Sequence, residues 1–75
     1  IKAATITIIN GEPSSEIYLN NRLVGQGELE NYFVSEGSYQ LKVYDDNVKT
    51  FSSFLDLNEN ENKFIDLNQY NSYRH

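Results

Sequence analysis

Apolar and polar residues alternate along most of this chain, and no window carries a 3.6-residue period long enough for a helix. Thr5-Ile6-Thr7-Ile8-Ile9 has the period of a half-buried strand, with Ile6 and Ile8 aimed at a core. Asn10-Gly11 and then Pro13, which has no N–H for a ladder, end it. Glu16-Ile17-Tyr18-Leu19 repeats the pattern, with Ile17 and Leu19 on one face and Tyr18 on the other. Asn20-Asn21 tolerates left-handed backbone and predicts a tight hairpin into Arg22-Leu23-Val24. Gly25-Gln26-Gly27 closes that strand, with Gly25 at a bend or bulge.

Residues 28–34 read as an extended crossing rather than a regular strand. The clearest strand follows, where Tyr39, Leu41 and Val43 alternate with Ser38, Gln40, Lys42 and Tyr44. Gly37 stands alone between a polar turn and this strand, which predicts a positive φ there. Asp45-Asp46-Asn47 ends the strand. Residues 51–57 form the next, with Phe51, Ser53, Leu55 and Leu57 on one side and Phe54 on the other. Residues 58–62 read as a polar hairpin loop, and Lys63-Phe64-Ile65-Asp66-Leu67 returns with Ile65 and Leu67 inward. Short strands separated by turn residues predict an all-β fold, a small two-sheet β-sandwich of short, mainly antiparallel strands. The expected domain spans residues 1–67, and residues 68–75 read as a polar tail or linker.

Seventy-five residues allow one domain with a thin core, and with no cysteine neither disulfides nor thiolate-bound metal can brace it. A start at Ile1 without Met, together with a polar end, predicts a segment of a longer chain. No apolar run is long enough for a membrane-spanning helix. The net charge is -5, and the six basic residues are scattered singly. Phosphate recognition wants a basic stripe, so nucleic acid is not an expected partner, and an anionic bilayer is disfavoured for the same reason.

The chemistry-bearing residues do not assemble into a catalytic pattern. The one histidine, His75, is the last residue, so no internal histidine or cysteine can activate the serines. Glu28/Glu30 and Glu59/Glu61 are two apart, which on a strand puts each pair on one solvated face. Asp56, Asn58 and Asn60 begin like an EF-hand loop, but Glu61 stands where glycine is needed and Leu67 where a bidentate glutamate is needed. Asp45, Asp46 and Asn47 offer a looser set of oxygens, better suited to bonding their own turn. Neither a metal nor a cofactor is expected.

The aromatic residues are the candidates for contact. Tyr39, Phe51 and Phe33 fit core positions, whereas Tyr18, Tyr44 and Phe54 fall on the opposite phase of their strands. That phase faces solvent, another domain or a ligand in a two-sheet sandwich.

In order, these pieces resemble a PEGA domain. The opening strand Thr5-Ile6-Thr7-Ile8-Ile9, the turn with Pro13, Ile17-Tyr18-Leu19-Asn20-Asn21 and Leu23-Val24-Gly25 correspond to its first half. Ser35-Glu36-Gly37-Ser38-Tyr39-Gln40-Leu41-Lys42-Val43 stands where the family has its name motif and tyrosine-containing strand, although Ser35 replaces the proline. The resemblance implies a non-catalytic structural or protein-interaction module of a larger surface or envelope-associated protein. Its partners would be flanking domains or a partner protein, at the cell surface or in the periplasm. A weak carbohydrate- or cell-wall-binding module is the alternative, with a glycan on the exposed aromatic residues.

Overall fold

The opening alternation forms β1 (Ala3–Ile9), which buries Ala4, Ile6 and Ile8 on one face and sets Thr5 and Thr7 on the other. The structure is a computed structural model and describes residues 2–70. Six further strands follow: β2 (Glu16–Leu19), β3 (Arg22–Gln26), β4 (Leu29–Ser35), β5 (Gly37–Asp45), β6 (Val48–Leu57) and β7 (Asn62–Asp66). They build two sheets, one ordered β4-β1-β7 and the other β3-β2-β5-β6. The fold is a two-sheet β-sandwich. Every pairing among the described strands is antiparallel except β1 with β7, which is parallel.

The core lies between the sheets. Ala4, Ile6, Ile8, Leu29, Ile65 and Leu67 from one side meet Ile17, Leu19, Leu41, Val43, Leu55 and Leu57 from the other. Burying this aliphatic set is the main source of stability, since each fully buried Leu or Ile side chain contributes roughly 1.5–3 kcal/mol. Tyr39 and Phe51 are half-buried against its margin, and the Tyr39 hydroxyl donates to the Ser35 carbonyl at 2.6 Å.

Local chemistry sets the turns. Asn20 and Asn21 have φ of 51° and 66°, between Leu19 and Arg22, which are paired. Two successive positive-φ residues make the two-residue hairpin whose twist matches the strands, and asparagine tolerates them at low cost. Asp46 and Asn47 do the same between Asp45 and Val48, with φ of 55° and 67°. Gly37 has φ of 146°, in the region expected of it. Gly25 lies opposite Ile17, beside a register shift that makes Val24 the extra residue. A Cβ on Gly25 would come within 2.6 Å of Leu29 Cδ1, so any larger residue there has to displace the end of the Leu29 side chain.

Expectations for two segments are corrected, residues 28–34 and residues 58–62. Residues 28–34 are mostly a regular strand, and Phe33 is not core: it is 75% exposed. The cause is a bulge. Ile6 pairs with Tyr32 but Ile8 pairs with Leu29, so β4 carries an extra residue opposite Thr7. Asn31 sits there at φ 48° and donates its N–H to Thr7 Oγ1 at 3.0 Å. The bulge flips the phase, turning Tyr32 and Val34 inward and Phe33 out.

The second correction concerns residues 58–62, which do not form a hairpin loop. The turn from Asn58 to Glu61 carries the chain from one sheet to the other, where β7 runs parallel to β1. It is closed by Glu61 N–H donating to Asn58 O at 3.0 Å and by Asn58 N–H donating to Glu61 Oε1 at 2.9 Å. Asn60 N–H then donates to Ala3 O at 2.8 Å, and Thr5 N–H to Glu61 O at 2.9 Å, anchoring the crossing on β1. After β7 the chain makes a 3₁₀ turn over Leu67–Tyr70, with Leu67 buried. The expected tail therefore begins inside this turn, and residues 71–75, His75 among them, lie outside the described residues.

Candidate functional site

The four-stranded sheet turns Tyr18, Tyr44 and Phe54 to its outer side. Strand register explains which of them meet. Tyr18 on β2 lies opposite Lys42 on β5, and Glu16 lies opposite Tyr44, so the two tyrosines are diagonal neighbours. Their ring centroids are 5.5 Å apart with planes at 82°, an edge-to-face pair. Phe54 on β6 lies opposite Gln40, with Lys42 and Ser52 occupying the next pair between it and the tyrosines. The structure joins Tyr18 to Tyr44 and leaves Phe54 apart on the edge strand, 80% exposed.

A shallow open cavity of about 330 Å³ surrounds the tyrosine pair, lined also by Glu16, Asn21, Lys42 and Asn47. Both asparagines come from the second positions of the two positive-φ hairpins. The turn chemistry that closes these hairpins thus also delivers amide groups to the cavity rim. Lys42 Nζ donates to Asn21 Oδ1 at 3.2 Å, and the Tyr18 hydroxyl donates to Glu16 Oε1 at 3.4 Å. The Glu16 carboxylate holds the Tyr18 phenol above its ordinary pKa, with burial and Tyr44 adding in the same direction. Tyr18 therefore stays a neutral donor beside a carboxylate. Aromatic edges, amides and one cation can bind a polar neutral surface, but nothing in the cavity is arranged to move a proton or attack a carbonyl.

Elsewhere the candidates take structural positions. Asp45 accepts a hydrogen bond from Ser14 Oγ at 3.3 Å, while Asp46 and Asn47 form the hairpin turn. Among the described residues, no group of three or more His, Cys, Asp or Glu could hold a metal ion. None of their helices is long and apolar enough to cross a membrane.

The outer side of the three-stranded sheet carries two aromatic residues that were not singled out as contacts. Phe33 faces Thr5, and Phe64 faces Thr7 from the other side of β1; they are 75% and 63% exposed. Phe64 was within reach of sequence reasoning, because the inward phase of Ile65 and Leu67 sends it out. Phe33 was hidden by the bulge. No family model matches the chain, and neither a curated protein nor a solved structure matches it.

Proposed function

We propose that this chain is a non-catalytic accessory module of the PEGA type, belonging to a larger surface or envelope-associated protein. In this reading the outer face of the four-stranded sheet seats a flanking domain or a partner protein. The observation that carries it is the Tyr18–Tyr44 pair, held edge to face on the solvent side of a sheet whose core is already complete without it. Tyrosine is favoured at such contacts because it offers a rigid apolar surface with a polar tip. The succession of hairpins, and Gly37 leading into the Tyr39 strand, supports the family part of the reading.

A specific observation also favours a second reading, a weak carbohydrate- or cell-wall-binding module. Asn21 and Asn47 flank the tyrosine pair, and aromatic rings ringed by amides suit a neutral sugar. One variant tests both. Tyr18→Ser/Tyr44→Ser should remain folded, losing about 1 kcal/mol of cross-strand packing. Hydrogen exchange should show the Tyr18 and Tyr44 strands better protected in the full-length protein than in the isolated chain, and the double variant should abolish that difference. Equal protection in both contexts would end the docking reading. Cell-wall oligosaccharides that shift the amide resonances of Asn21 and Asn47 would then establish the second.

A further inference from the structure

We propose that the open edge of β6 pairs with the same edge of a second copy of this chain, antiparallel, with Phe54 on the two-fold axis. The inference goes beyond the accessory-module reading and makes no use of the tyrosine pair.

An edge strand presents unpaired main-chain groups, and natural proteins blunt such edges with bulges, charged side chains, proline or brevity. Among the described residues, three of the four sheet edges are blunted. β4 is broken by the bulge at Asn31, β3 by the shift at Val24 beside Gly25, and β7 has only 5 residues. β6 runs for 10 residues without proline; its one irregularity, at Thr50, and its two charged residues, Lys49 and Asp56, leave the stretch from Phe51 to Leu55 regular and uncharged.

The direction of its open groups follows from its neighbour. Asn20 N–H donates to Gln40 O, and Gln40 N–H donates to Asn20 Oδ1, both at 2.9 Å, so Gln40 turns its main chain towards β2. Val43, of the other parity, turns its carbonyl towards β6, where Thr50 Oγ1 donates to it at 3.3 Å. Main-chain groups alternate sides along a strand. Phe54 faces Gln40, so its N–H and C=O point to the open edge, as do those of Ser52 and Asp56. The Phe54 carbonyl takes only a long 3.4 Å contact from the Ser53 hydroxyl.

The side chains of this edge are self-complementary. Placing Phe54 opposite Phe54 puts Ser52 of each copy opposite Asp56 of the other and forms about six main-chain hydrogen bonds. The two rings, each 80% exposed alone, then cover one another. Symmetry selects the direction: a two-fold axis at Phe54, normal to the sheet, pairs the two β6 strands antiparallel and keeps both cores on the same side of the joined sheet. The start of β6, with Lys49 beside Asp45 and Asp46 of the preceding turn, then lies towards the Asp56 end of the other copy. The product is a continuous eight-stranded sheet with closed two-fold symmetry.

The test is sedimentation equilibrium of the 75-residue chain from micromolar to millimolar concentration, with strand content followed by circular dichroism. The weight-average mass should rise from 8.7 kDa towards twice that value. Ser52→Pro removes an N–H from the open edge while leaving the ladder to β5 intact, and should weaken the dimer at least tenfold. Phe54→Lys sets two like charges opposite each other on the axis and should do the same; should Ser52→Pro fail to fold, this variant decides. Tyr18→Ser/Tyr44→Ser should dimerise unchanged, which separates this inference from the accessory-module reading. A chain that stays monomeric at millimolar concentration overturns the proposal. So does a dimer that survives Phe54→Lys, or one that a folded Ser52→Pro leaves intact.

Discussion

Gly11 is the position where one added methyl group should do most harm. An alanine Cβ there would lie 2.1 Å from the carbonyl oxygen of Gly27 and 3.2 Å from Leu67 Cδ1. The first obstacle is main chain, and restoring ordinary contact requires the two loops to separate by more than an ångström. They are not free to do so. Gly27 N–H donates to Ser15 O at 2.8 Å, Ser15 N–H donates to Glu12 O at 2.9 Å, and Ser15 is itself buried. Forced overpacking costs about 1–3 kcal/mol, and losing the Gly27–Ser15 bond adds about 1 kcal/mol. Gly11→Ala should therefore cost about 2–4 kcal/mol, a large share of the roughly 4–11 kcal/mol expected of a domain this size.

Gly25→Ala is the comparison. Its Cβ would meet Leu29 Cδ1 at 2.6 Å, the far end of a side chain that can rotate, so it should cost less than Gly11→Ala. Urea unfolding followed by circular dichroism measures both, with equal slopes required for the comparison to hold. A loss below about 0.5 kcal/mol for Gly11→Ala, the level of an ordinary surface substitution, would refute the close approach of the two loops.

The remaining predictions use the same unfolding assay or a titration. Ile17→Ala, at a fully buried site, should cost about 2–5 kcal/mol, whereas Phe33→Ser should stay within about 0.5 kcal/mol; a reversed order would restore Phe33 to the core. Tyr18 should release its proton at higher pH in the folded chain than in the unfolded one, because Glu16 raises its pKa. The stability it contributes is present below the ordinary tyrosine value of 10.0 and is lost as pH rises through the folded value. Glu16→Gln should move the phenolate absorbance transition of Tyr18 down, and an unmoved transition would remove Glu16 as the cause.

What could be read from the sequence was whatever depended on an unbroken period. Ile6, Ile8, Ile17, Leu19, Leu41, Val43, Leu55, Leu57, Ile65 and Leu67 all point inward as their alternation requires. The Asn20-Asn21 turn and the φ of Gly37 were equally local, since each depends on what one residue type tolerates. The bulge at Asn31 is another matter. It exists because Thr7, far away in sequence, accepts the Asn31 N–H, and a two-residue period cannot report a partner's register. The crossing at residues 58–61 likewise reads as any polar turn until Ala3 and Thr5 are beside it.

The same distinction governs the candidate site. Phase alone sends Tyr18, Tyr44 and Phe54 outward, but it sends Phe64 outward too, and the bulge adds Phe33. Both faces of the sandwich therefore expose aromatic rings, and exposure by itself selects neither. What distinguishes the four-stranded face is set by strand order. Only with β2 beside β5 do Tyr18 and Tyr44 touch, and the hairpins at Asn21 and Asn47 then supply amides to the same cavity. Phe54 shares the face without sharing that contact, because its register sets it opposite Gln40, with the Lys42–Ser52 pair between it and Tyr44. Its exposed ring and the open main chain beside it belong to the sheet edge. Losing Phe54 should therefore disturb self-association without disturbing the tyrosine cavity.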